Sequence, residues 1–338
     1  MKIICNPQYF ISNIQNSMIH CLLAVVLFFH SCGQKPEISV KIDRLEQSLF
    51  MIPIDSIPAT IPRLEQQYGE LFDMYNELMR LGTPDDPKYA EELTGFLTDY
   101  HMNLAYKRVK EIYPDLKNIE AGLGIAFSNY RKEFPERVIP SVYTLISGFN
   151  ESIIIADTIL AIALDKYLGV NEDMYFRMDL ANYQRRLMDP EYVVTDCMKA
   201  WLFTEFPCSD SIDHLLANIL YEGKVMYAMR QLLPATPDSL IFGYSPDQIR
   251  WCCNNTVQMW TFLVEKKLLY VTDYFTINKL IGPAPFTSLF TQESPGRAAV
   301  WLGYQIITSY MRHNKVSLEA LLLDNDCQQI LARAKFKP

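Results

Sequence analysis

Four carboxylates, Asp157, Asp165, Asp196 and Glu222, lie in or beside apolar segments, and two of them brought together could divide general-acid and general-base work at a hydrolytic site. Metal chemistry asks for more. A catalytic zinc centre takes three protein ligands and an open water position, usually two neutral imidazoles and a carboxylate. Beyond the apolar N-terminus the histidines are His101, His214 and His313, each in or at the end of a separate predicted helix. Cys197, Cys208, Cys252, Cys253 and Cys327 have no CxxC spacing. Cys197 and Cys208 could form a disulfide; the alternative is that the cysteines serve as small buried hydrophobes. With no glycine-rich phosphate loop and no GxSxG elbow, the sequence predicts neither metal nor cofactor and names no catalytic residue.

Glu222-Gly223 stands out because it interrupts a helical pattern from Asp213 to Leu233 that is apolar on two sides. Glycine in a helix interior costs roughly 1 kcal/mol relative to alanine, so Gly223 predicts the close approach of another backbone. Glu222 could pair with Lys224 or Arg230, or take a buried structural role. The candidate motif residues are Glu222, Gly223, Asp196, Trp251 and Arg297. Trp251 and Trp260 are out of phase on one helix and should meet different neighbours. Arg185-Arg186 could hold an anion or remain solvated. Arg297 closes an irregular stretch that begins at Pro283, and loops of that length usually bind or cover something.

The elements that must position these residues are mostly helical. Apolar spacing predicts helices over Arg63 to Arg80, after the cap Asp86-Pro87, and over Lys117 to Glu133. Arg137 to Asp165 is rich in β-branched residues, with turn signals at Gly148-Phe149-Asn150 and Asp157, which predicts two or three antiparallel strands. Helices resume over Pro190 to Phe206 and Ser211 to Leu233. Ser245-Pro246-Asp247-Gln248 is a complete helix opening, with a capping serine, a first-turn proline and a returning glutamine. Two further helices follow Arg297 and Ser317. The expected class is mainly α (α+β), a helical domain around a small central antiparallel sheet.

The N-terminus suggests export. Cys21 to Phe29 is an apolar run too short to span a bilayer but suited to a signal peptide, and it ends in His30-Ser31-Cys32-Gly33, which resembles a bacterial lipobox with Cys32 as the acylated residue. The expected organisation is a signal peptide over 1–31, an extended, proline-punctuated tether over 32–60 and one domain over 61–338. Asp55-Ser56-Ile57 in that tether resembles an O-glycosylation sequon, with Ser56 as the modified residue. A net charge of −8 disfavours nucleic acid, and no polybasic block marks a membrane patch.

Several segments together carry a family resemblance: LISGFN (Leu145 to Asn150), LDKYLG (Leu164 to Gly169), PEYVVTD (Pro190 to Asp196), YEGKVMY (Tyr221 to Tyr227), GYSPDQIRW (Gly243 to Trp251), PAPFT (Pro283 to Thr287) and SPGRAAVWLGYQIITSYM (Ser294 to Met311). In this order they resemble the GldB gliding-motility lipoproteins of Bacteroidota. The resemblance implies an envelope lipoprotein associated with gliding motility and type IX secretion, and Gly33-Gln34-Lys35, which lack the acidic run that resembles a surface-export signal, lead to the expectation of the periplasmic face of the outer membrane. Its implied partners are envelope proteins, including gliding or type IX secretion components. A more distant likeness, to gluzincin-type zinc peptidases, rests on Glu222-Gly223, which is similar to the EG of their second motif. The HExxH half is absent: the helix after Pro190 contains no histidine. The reading that follows is a non-catalytic envelope protein with a degenerate zincin-like body; the alternative is a carboxylate- or metal-dependent hydrolase.

Overall fold

In the computed structural model, which describes residues 37–209 and 213–338, the first regular element is a strand, β1 (Ile42–Arg44), followed by α1 (Leu45–Phe50). This overturns the expected tether over 32–60, because Leu45 and Leu49 are fully buried one helical turn apart. Glu46 anchors the segment. Its carboxylate accepts from Arg44 Nε at 2.6 Å and from the Thr144 hydroxyl at 2.8 Å, so a buried charge is both paired and hydrogen-bonded. The described part of the expected tether, from Glu37, thus belongs to the same compact unit as the rest of the described chain. Ser56, expected in an extended linker, ends a short 3₁₀ turn over Ile54–Ser56, and its carbonyl accepts from the Thr60 hydroxyl. Cys32 and the expected signal peptide over 1–31 lie outside the described residues.

Helices α2 (Ile57–Tyr68), α3 (Glu70–Met79), α4 (Tyr89–Thr98), α5 (Tyr100–Ile112) and α6 (Lys117–Glu133) follow. The predicted Arg63 to Arg80 helix is divided at Gly69, whose φ of 48° and ψ of −126° no side-chain-bearing residue adopts cheaply. The pattern from Tyr89 to Leu104 is likewise two helices, because the Asp99 carboxylate accepts from the His101 and Met102 amides and starts a new one. Asp86 caps a turn three residues before α4 begins, its carboxylate accepting from the Lys88 amide.

The sheet comprises β1, β2 (Ser141–Leu145), β3 (Ile153–Ala156) and β4 (Ile159–Ala163), in the order β1-β2-β4-β3. It is mixed rather than antiparallel. The turn at Asp157 does produce an antiparallel β3–β4 hairpin, but β4 inserts beside β2 and runs parallel to it, with Val142 opposite Leu160. β1 then pairs parallel on the other edge, its crossover supplied by α1 to α6. β4 reads Ile-Leu-Ala-Ile-Ala and is buried throughout. Its alternate residues serve two cores: Ile159, Ala161 and Ala163 face the N-terminal helices, while Leu160 and Ile162 face the larger C-terminal cluster. The sheet thus sits between two helical layers.

The remaining helices are α7 (Asp173–Arg177), α8 (Asn182–Arg186), α9 (Val193–Glu205), α10 (Leu215–Leu232), α11 (Asp238–Phe242), α12 (Pro246–Glu265), α13 (Tyr274–Ile281), α14 (Ala298–His313), α15 (Leu318–Leu323) and α16 (Cys327–Ala334). The Ser245 opening forms as predicted: its hydroxyl accepts from the Gln248 amide and Gln248 returns a bond to the Ser245 amide at 2.9 Å. α10 is central, in contact with α6, α9, α11, α14, α15 and α16. Cys197 and Cys252 are buried thiols, serving as small hydrophobes. Among the described residues no helix is long and apolar enough to cross a membrane.

Candidate functional site

The site is built on the crossing of α10 and α14. Gly223 lies against Gly303: a Cβ added to Gly223 would stand 2.3 Å from the Gly303 carbonyl carbon and 2.6 Å from the Tyr304 nitrogen. In the other direction, a Cβ on Gly303 would stand 1.7 Å from the Ile219 carbonyl oxygen. Two facing glycines therefore let the helix backbones touch, which explains the glycine inside α10.

That contact brings Glu222 to the start of α14. Its Oε2 accepts from an Arg297 terminal nitrogen at 2.8 Å, with both side chains about one-fifth exposed. Arg297 also donates from Nε to the Ile281 carbonyl, and its own carbonyl accepts from the Tyr244 hydroxyl, each at 3.0 Å. Its backbone is left-handed, with φ at 62°, a cost that the surrounding bonds hold in place. The loop before it is closed on itself. Thr287 donates through its amide and hydroxyl to the Pro295 carbonyl, while the same hydroxyl accepts from the Ala298 amide. The irregular stretch predicted from Pro283 is thus an ordered strap that fixes Arg297.

Neither expected partner of Glu222 is used. The Lys224 ammonium donates to the Leu322 and Asp324 carbonyls, and burial pushes its pKa down to about 8. Arg230 pairs with Asp238. Asp157 is an exposed residue in the β3–β4 turn, at φ 41°. Asp165 is buried behind the sheet, where it accepts from the Ser147 and Phe149 amides at 3.0 and 2.6 Å and shapes the turn between them. Burial raises its pKa from 3.8 to about 6. Trp251 is part-buried on α12, packed against the larger hydrophobic cluster, and does not line the cleft described below.

Asp196 does reach the site. It projects from α9 into a cleft of about 680 Å³ lined also by Lys199, Lys166, Arg186, Arg297 and Tyr244. Its Oδ2 accepts from the Tyr167 hydroxyl at 3.0 Å; burial raises its pKa, with Lys199 opposing the shift. Lys199, one turn further along α9, is pushed down first by burial and then by Arg297, against the pull of Asp196 and Glu222. Its ammonium has no hydrogen bond or ion pair among the described residues. Arg186 reaches in from α8, donating to Gln248 Oε1 at 3.0 Å and to the Gly243 carbonyl at 2.9 Å, so the α12 capping box also positions a guanidinium. Lys199, Lys166 and Tyr244 were not among the sequence candidates. Asp196-x-x-Lys199 within a predicted helix was the available signal, since residues three apart share a face. No group of three or more metal-ligating side chains is assembled among the described residues.

Fold and site define a mainly α protein with a small mixed sheet and a charged cleft at a tight helix crossing. The chain belongs to the gliding motility protein GldB family, whose profile matches residues 31–338. No curated protein matches it, and no solved structure does.

Proposed function

We propose that this gliding-motility-related protein is a non-catalytic lipoprotein of the cell envelope that holds a partner protein or envelope component through the cleft between α8, α9, α11 and the strap that ends at Arg297. The Glu222–Arg297 ion pair carries this reading. The glutamate that resembles a zinc-peptidase ligand has its carboxylate engaged by a guanidinium fixed at a helix start, which favours a structural role over metal ligation. The family's lipoprotein designation supports acylation at Cys32. Gly33-Gln34-Lys35 lacks an acidic run, which supports the periplasmic face of the outer membrane, in reach of type IX secretion components.

One observation favours the second reading, a carboxylate-dependent hydrolase. Asp196 and Lys199 are shifted in opposite directions within one cleft, a pattern common at catalytic sites. Asp196→Asn separates the two readings. If the protein binds, the folded variant complements a deletion strain and returns the same crosslinked envelope partner. Loss of complementation with unchanged folding and a peptide-cleaving activity present only in the parent would establish the hydrolase.

A further inference from the structure

The charge balance of the cleft is uneven. Arg297 is neutralised by Glu222, and the remaining lining cations, Lys166, Arg186 and Lys199, face a single lining carboxylate, Asp196. Among the described residues none of those three cations forms an ion pair. Lys166 donates to the Phe149 carbonyl and Arg186 to two neutral oxygens, while among the same residues the Arg186 Nε is buried without a partner and Lys199 has no hydrogen bond. In a chain with net charge −8, a recessed surplus of positive charge is unexpected unless something negative completes it. Leaving the buried Arg186 Nε without an acceptor costs free energy that a bound anion would recover.

We propose that the cleft binds a small organic anion, its carboxylate or phosphate head held by Lys199 and Arg186 and its body lying against Phe242, Tyr192 and Tyr244. The volume, about 680 Å³, falls in the range of pockets that take whole organic ligands and far exceeds what a bare inorganic ion fills. The lining also includes aromatic and aliphatic side chains, Tyr192, Leu240, Phe242 and Tyr244. Such side chains contribute through burial of an apolar body, while the cations fix the head. The inference rests on the binding reading above and narrows it to a ligand class.

Calorimetric titration of the full protein purified in detergent tests it with four probes: phenyl phosphate, hippurate, the neutral hippuramide and inorganic phosphate. At least one organic anion should bind with 1:1 stoichiometry, about tenfold or more tighter than hippuramide and inorganic phosphate. Whichever of phenyl phosphate and hippurate binds more tightly identifies the head. Lys199→Met, which keeps the side-chain volume and removes a poorly solvated charge, should stay folded and weaken that binding at least about tenfold, while Lys199→Arg should retain most of it. Absence of binding by both organic anions, equal binding of hippuramide, or unchanged affinity in Lys199→Met overturns the proposal. If it fails while the envelope partner is still captured, the binding reading stands; loss of the partner in the parent protein itself removes that reading.

Discussion

Gly223→Ala sets two physical effects against each other, and the structure decides between them. Helix propensity alone favours the alanine by about 1 kcal/mol. The new methyl, however, would stand 2.3 Å from a backbone carbon and 2.6 Å from a backbone oxygen and nitrogen of α14, and none of these atoms can swing aside. Restoring ordinary carbon–carbon contact needs about 1 Å of separation between α10 and α14. Both helices are buried at this point, so the separation loosens Ile219, Val300, Leu302 and Ile306 together. Overpacking a core costs about 1–3 kcal/mol, and unyielding backbone places this case at the upper end. The net expectation is a loss of about 2 kcal/mol, with Gly303→Ala more severe because its methyl would meet the Ile219 carbonyl oxygen at 1.7 Å. Urea unfolding followed by far-UV circular dichroism measures it, with the slope checked for constancy. A midpoint for Gly223→Ala equal to or above that of the parent would refute the close helix crossing.

Two other outcomes follow from the geometry and one from the sequence. Arg297→Met strands the Glu222 carboxylate and should cost about 3 kcal/mol, part of which Glu222→Gln restores in the double variant; additive losses would show that the two side chains are uncoupled. Asp165 has a folded-state pKa raised by burial to about 6, so its favourable contribution is fully present below its unfolded value of 3.8 and is lost as pH rises through 6. The stability advantage of the parent over Asp165→Asn should therefore shrink by about 3 kcal/mol between pH 3 and 7, and a pH-independent difference would contradict that. Cys32→Ser should abolish labelling by a fatty-acid analogue and release the protein from detergent-extracted membranes; retained labelling would remove the lipid anchor from the account.

Local rules carried much of the fold. The helix over Lys117–Glu133 and the Ser245 opening are where periodicity and capping chemistry put them, because both depend on neighbours within a few residues. The tether was misread because Pro53 and Pro58 suggested an extended chain, while the one-turn spacing of Leu45 and Leu49 already marked a buried helix. Sheet order was beyond reach. A turn signal pairs β3 with β4, but nothing local says that β4 returns beside β2 or that β1 arrives from a hundred residues away. The site divides the same way. Gly223 was legible because glycine inside a helix needs a reason, whereas its counterpart Gly303, and Arg297 as the partner of Glu222, are set by a crossing between distant segments. Lys199 drew no notice because its significance lies in what fails to pair with it.

The central claim, that the cleft holds a ligand or partner without turning it over, is tested most directly by a photocrosslinking residue placed at Tyr183, on the cleft lining, in the native envelope. The same residue at Tyr100, exposed and outside that lining, is the control. The account predicts a discrete adduct of reproducible mass from Tyr183, absent from Tyr100, undiminished by Asp196→Asn and reduced by Lys199→Met. No adduct from Tyr183, or the same adduct from both positions, would contradict it.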